Sequence, residues 1–276
     1  MIIQQSSRHR LRFEGSLIVR ADLSGQVAFI TGAAGGIGSA IAELFAANGA
    51  AIVAADLNEA GAKALAERLP RAIAIGLDIR NEAEINRGVD ETLTTYGHID
   101  ILINNAGVNT LAHRVDIDAF PVEEWHRIVG IDLDGTYLVS RIAVQPMIRQ
   151  KRGRIINIAS TVGLAALRLQ SPFVAAKAAV IHLTRSMALE LSPKGILVNA
   201  IAPGSTLTEA TRKLFYGVEG SFHERAAAFM KHVPLGRPAE PKEIAQGALF
   251  LASDASSYVN GHCLTIDGGW TAGYMM

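Results

Sequence analysis

Thr31-Gly32-Ala33-Ala34-Gly35-Gly36-Ile37-Gly38 is the stretch that decides the fold of this chain. An apolar run, Gln26–Ile30, precedes it. After it, Gly36–Asn48 repeats apolar residues at helical spacing through Ile37, Ile41, Leu44 and Phe45. A glycine-rich turn between a strand and a helix has a physical use. Glycines permit a tight turn, let backbone approach a ligand, and allow close helix–strand packing. The helix start behind the turn offers unpaired N–H groups and the positive end of a dipole to an anion such as a pyrophosphate. A turn that only serves packing is the competing reading.

The alternation continues outward from that unit. Ala50–Ala55, Ala72–Leu77, Ile99–Ile103, Arg154–Ala159, Ile196–Ile201 and Cys263–Ile266 read as strands. Asn58–Leu69, Glu82–Tyr96, Val122–Met147 (ending near Pro146), Pro172–Leu191 and Glu240–Leu251 read as helices. Strands alternating with helices predict an α/β, Rossmann-type doubly wound parallel sheet with helices on both faces, in a single domain. The expected organisation is an N-terminal extension over 1–22 and one domain over 23–276. A helical insertion at about 205–235 carries Phe215, Tyr216, Phe222, Phe229 and Met230 and is a candidate substrate lid.

The 276 residues are 49% hydrophobic and 19% charged, enough for a sizeable core. Formal net charge is zero, so no nucleic-acid partner is expected. No apolar run has the length of a membrane span, and no membrane partner is expected. The single cysteine, Cys263, cannot form an internal disulfide; it is expected to be a small buried hydrophobe in a reducing compartment. No metal site is expected.

Asp56 stands at the end of the second strand. A carboxylate there accepts hydrogen bonds from ribose hydroxyls and repels a 2′-phosphate. Leu57 and Asn58 are not basic, and the glycine loop holds no Lys or Arg. The expected cofactor is therefore NAD; an aspartate that merely caps a helix or turn would leave the choice open.

The chain resembles the short-chain dehydrogenase/reductase family. Thr31–Gly38 is similar to its glycine loop, Asn104-Asn105-Ala106-Gly107 to its segment after the fourth strand, Pro203-Gly204 to its turn after the sixth, and Asp267-Gly268-Gly269 to its ending. The resemblance runs from about Leu23 to Trp270. It implies a cofactor site at Gly32, Gly36, Ile37, Gly38, Asp56, Asp78, Ile79, Asn105, Ala106, Gly107, Lys177, Pro203, Gly204, Thr206 and Thr208. It also implies oxidoreduction of a small-molecule alcohol or ketone by a homotetramer; the lone cysteine makes the expected location cytoplasmic.

The family's catalytic set is Asn, Ser, Tyr and Lys, with Tyr and Lys four apart on one helical face. By resemblance Ser160 and Lys177 occupy their positions. The tyrosine position holds Phe173 and the asparagine position holds Asp132. A phenyl ring has no hydroxyl to exchange a proton. Three explanations compete: an engineered Phe173, which leaves Asp132 unexplained; a natural weak enzyme or NAD-binding scaffold; or a substitute acid. As that acid, Asp132 sits close to Lys177, and the expected outcome is an ion pair between them. Tyr137 is expected to face away, and Arg168 to be an exposed arginine.

Overall fold

The structure is a computed structural model that describes residues 21–110, 113–209, 211–212 and 230–273. Most of the expected extension and insertion, including Phe215, Tyr216, Phe222 and Phe229, lies outside the described residues.

Seven parallel strands form one sheet in the order β3-β2-β1-β4-β5-β6-β7. They are β1 (Val27–Thr31), β2 (Ala51–Asp56), β3 (Ala72–Gly76), β4 (Ile101–Asn104), β5 (Gly153–Ile158), β6 (Ile196–Pro203) and β7 (Cys263–Ile266). The helices are α1 (Gly36–Ala47), α2 (Glu59–Ala66), α3 (Glu82–Tyr96), α4 (Val122–Val129), α5 (Thr136–Gln150), α6 (Ser171–Leu191) and α7 (Pro241–Ala252). Strand order reverses between β1 and β4. In such sheets the crevice outside the carboxyl ends of the strands, at that switch point, is where ligands bind.

Alternate strand residues feed two separate cores. Ala28, Ile30, Ile52 and Ala54 face Ile41 and Phe45 of α1 and Ile244 and Ala248 of α7. Val27, Phe29, Ala51 and Val53 face Ile85 and Val89 of α3, Val139 and Met147 of α5, and Leu191 of α6. Burial on both faces is why β1 and β2 are continuous apolar runs, without the polar alternation of a half-exposed strand.

The expected long helix over Val122–Met147 is corrected in two ways. It is interrupted by a π-helical turn, Gly130–Gly135, and α5 runs on past Pro146 to Gln150. The π turn widens the helix locally and buries Asp132 and Gly135. Pro146 is buried near the end of α5 beside Met147, a core residue, and the helix continues through it despite the lost hydrogen bond.

A polar chain crosses the centre of the sheet. The Asn104 amide donates to the Ser140 hydroxyl and to Asn157 Oδ1, both at 2.8 Å, and the Asn157 amide donates to the Thr184 hydroxyl at 2.8 Å. All four residues are buried. The chain thus pins β4, β5, α5 and α6 in register just below the crevice. Truncating Asn157 strands buried donors and acceptors on both sides. We expect Asn157→Ala to lower unfolding free energy by about 1–3 kcal/mol, measured by urea denaturation.

Candidate active site

The glycine loop is shaped by backbone contact. Gly32 has φ +64°, and a Cβ on it would lie 2.8 Å from Ala106 Cα. A Cβ on Gly38 would collide with the Gly32 carbonyl oxygen and lie 2.7 Å from Asn105 Nδ2. Thr31 and Asn105 hold this close approach. The Thr31 hydroxyl accepts from the N–H groups of Asn105 and Ala106 at 3.0 and 3.1 Å, and the Asn105 amide donates to the carbonyls of Thr31 and Gly32 at 3.0 and 2.9 Å. The expected site residues Gly32, Gly38, Asn105 and Ala106 therefore form one structural unit.

The first turn of α1 has no acidic residue, and its N-cap, Gly35, offers no side-chain hydrogen bond. The orphan N–H groups at this helix start are left for an anion. Asp56 closes the far side of the loop: its Oδ2 accepts from Ala34 N at 2.9 Å and its Oδ1 from Asn58 N at 2.8 Å. The carboxylate keeps further lone pairs and is only partly buried. On the other side, a Cβ on Gly36 would sit 2.9 Å from the Thr208 side chain. The segment after β6 thus packs onto the loop. Thr206 donates to the Gly204 carbonyl at 3.1 Å, Thr161 donates to the Pro203 carbonyl at 3.2 Å, and a Cβ on Gly204 would lie 2.7 Å from Asp267 Cα.

Asp78 and Ile79 follow β3. Asp78 forms a two-pronged pair with Arg80, whose hydrogen bonds hold its carboxyl below the usual carboxylate range. Ile79 is buried against Gly135 of the π turn. Ile37 is half-buried at the start of α1.

The remaining expected residues meet at the mouth of β4 and β5. Ser160 caps a short 3₁₀ turn, its hydroxyl accepting from Val162 N at 3.3 Å. Lys177 is buried on α6 and donates from Nζ to the Ile158 carbonyl at 3.2 Å. One turn earlier, the Phe173 ring centre lies 5.6 Å from that ammonium. Asp132 lies within the π turn and is 0% exposed. Its Oδ1 accepts from Val108 N at 2.7 Å, and its Oδ2 lies 3.2 Å from Lys177 Nζ. That contact falls outside hydrogen-bond angles and Oδ2 has no other partner, so the attraction is one of charge. Gly107 passes over the pair: a Cβ there would lie 3.2 Å from Lys177 Nζ and 3.3 Å from Asp132 Oδ1. The ion pair expected from the sequence is present.

Other candidates fall away from the site. Tyr137 is 49% exposed. Arg168 is exposed and paired with Asp116 at 2.8 Å. Burial pushes the Cys263 thiol up to about 11, which removes it as a nucleophile at neutral pH. Trp270 packs with Met230, Val233 and Leu207. Among the described residues no His, Cys, Asp and Glu cluster is arranged to hold a metal, and no helix is long and apolar enough to cross a membrane. The clamping role of Thr31 and the Asn104–Asn157 chain was not anticipated. A single polar Asn157 inside an Ile-rich strand was the available signal.

A family model described as Enoyl-(Acyl carrier protein) reductase matches residues 32–271. The chain is 39% identical to a 3-oxoacyl-[acyl-carrier-protein] reductase of Thermotoga maritima, over 90% of this chain and 98% of that protein. It is also 39% identical to an NAD-dependent glycerol dehydrogenase of Listeria innocua, over 91% and 95%. The crystal structure of a short-chain type dehydrogenase/reductase from Mycobacterium marinum superposes with a TM-score of 0.85 at 33% identity, covering 94% of this chain and 100% of that one. The chain belongs to the short-chain dehydrogenase/reductase family. It shares with those relatives the Rossmann-type fold, and the relatives named are oxidoreductases.

The buried pair carries a stability prediction. Removing one member leaves the other charge in the protein interior without its counterpart. We expect Asp132→Asn to cost about 3–5 kcal/mol in chemical denaturation. Asp132→Asn combined with Lys177→Met should cost clearly less than the sum of the two single changes.

Proposed function

We propose that this chain is an NAD(H)-dependent oxidoreductase of a secondary alcohol and its ketone, with the proton-transfer half of the reaction weakened by Phe173 and Asp132. The observation that carries the reading is the uncapped helix start of α1, framed by Gly32, Gly36 and Gly38, with the Asp56 carboxylate anchored beside it.

The residues present suit a pyridine dinucleotide. The amides around Gly36, Ile37 and Gly38 would take the phosphates. Asp56 would take the adenosine ribose hydroxyls, and its charge disfavours a 2′-phosphate. Asp78 and Ile79 would flank the adenine. Asn105, Ala106 and Gly107 would support the sugar, and Lys177 would reach the nicotinamide ribose. Pro203, Gly204, Thr206 and Thr208 would line the nicotinamide side. When bound, the nicotinamide supplies the hydride.

Ser160 would orient the substrate oxygen with its hydroxyl. Lys177 supplies positive charge beside that position, compensated by Asp132. At Phe173 no atom can give or take the proton that must accompany hydride transfer, and general acid–base catalysis is typically worth ~10²–10⁴ in rate. That absence favours a second reading, in which the chain binds NAD(H) without turnover.

Two measurements test the proposal. By calorimetry, the wild-type chain should bind NADH more tightly than NADPH. Asp56→Asn should narrow that ratio by about tenfold or more, the scale of one charge-assisted hydrogen bond and a relieved repulsion. A ratio unchanged by Asp56→Asn would remove Asp56 from coenzyme selection. Against a panel of secondary alcohols and ketones, Phe173→Tyr should raise turnover by about tenfold or more. Tight NADH binding with no turnover in either form would favour the binding protein over the enzyme.

A further inference from the structure

Phe173 and Asp132 lie on different elements, α6 and the π turn, yet both address the same ammonium. Lys177 is held by three neighbours: the Ile158 carbonyl at 3.2 Å, the Asp132 carboxylate at 3.2 Å and the Phe173 ring at 5.6 Å. Only the carboxylate carries opposite charge. Asp132 is itself fixed by Val108 N and fully enclosed, so it cannot turn to solvent. Opposite charges buried this deeply attract strongly, and each cancels much of the other's field on its surroundings.

We propose that Asp132 is a positioning residue that compensates the charge of Lys177 within the protein, so that the two departures are coupled: a hydroxyl placed on the Phe173 ring gains little from the lysine while Asp132 remains. This rests on the reading that the cleft performs alcohol–ketone chemistry, but its physical content is a statement about charge that needs no turnover. Of the other titratable groups on α4, the π turn and α6, Glu123, His126, Asp134, His182, Arg185 and Glu190 are exposed to solvent, which leaves Glu124 of α4 and its partner Arg127. They bind one another at 2.6 Å. Arg127 feels the Asp132 charge from a distance, and Glu124 has His113 3.9 Å away. The β5–α6 side contributes Ser160, which carries no charge. Lys177 and Asp132 therefore set the local field.

A neighbouring cation lowers a phenol's pKa, and a compensated cation does not. The test is ultraviolet titration of phenol ionisation in the coenzyme-free full chain, with the wild-type curve subtracted to remove the native tyrosines. In Phe173→Tyr the added phenol should titrate at about 10 or above, its ordinary value or higher. In Phe173→Tyr/Asp132→Asn it should titrate about one unit lower or more. The pH–rate profile of Phe173→Tyr should rise into the alkaline range, and the double variant should reach its plateau at lower pH with kcat about tenfold higher near neutrality.

A midpoint in Phe173→Tyr already one unit or more below 10 overturns the proposal. So do equal midpoints in the two variants. The first criterion needs only the Phe173→Tyr protein, so it holds even if Asp132→Asn prevents folding. Failure of NADH binding in every variant would instead sink the functional reading and leave the titration result standing.

Discussion

Gly32 and Gly38 stand where any side chain would strike backbone, and the Thr31 hydroxyl with the Asn105 amide fastens them there. That contact brings the end of β1 against the end of β4 at the point where strand order reverses. Everything else in the site is placed from this junction. It opens the N-terminus of α1 toward the crevice, it sets Asp56 beside the loop, and it directs the segment Asn105–Val108 across to Asp132 on the π turn.

The second half of the site is organised by a different force. Around β4, β5 and α6 the buried polar groups are joined in a chain running through Ser140, Asn104, Asn157 and Thr184. Above that chain lies the buried ion pair of Lys177 and Asp132. Hydrogen bonds to backbone and enclosure by Gly107 hold this pair in place, while the phenyl ring of Phe173 occupies the volume beside it. On the proposed reading, the loop suits a dinucleotide, while Phe173 and Asp132 stand where a proton would be handled.

Much of this was legible in the sequence, for a physical reason. A parallel sheet covered on both faces demands short, wholly apolar strands separated by helical patterns, and each of the seven strands lies within about two residues of its apolar run. Asn58 and Asn81 cap α2 and α3 with their side chains, as such residues commonly do at helix starts. The expected proximity of Asp132 and Lys177 also holds. The π turn was not legible, because a single widened turn of six residues, Gly130–Gly135, is too short to register as a change of period. Nor was the Thr31 clamp, since its partners come from a strand far along the chain and depend on strand order. Asp78 bears a pairing with Arg80 that spacing alone does not disclose, as both residues sit outside regular structure.

The central claim is that the crevice at the β1–β4 switch point holds a reduced or oxidised pyridine dinucleotide. The most direct measurement is titration of the full chain with NADH, following nicotinamide fluorescence at fixed ionic strength. The account predicts a saturable signal with one site per chain that NAD⁺ displaces. A linear, unsaturated response from folded protein, unaffected by NAD⁺, would contradict it.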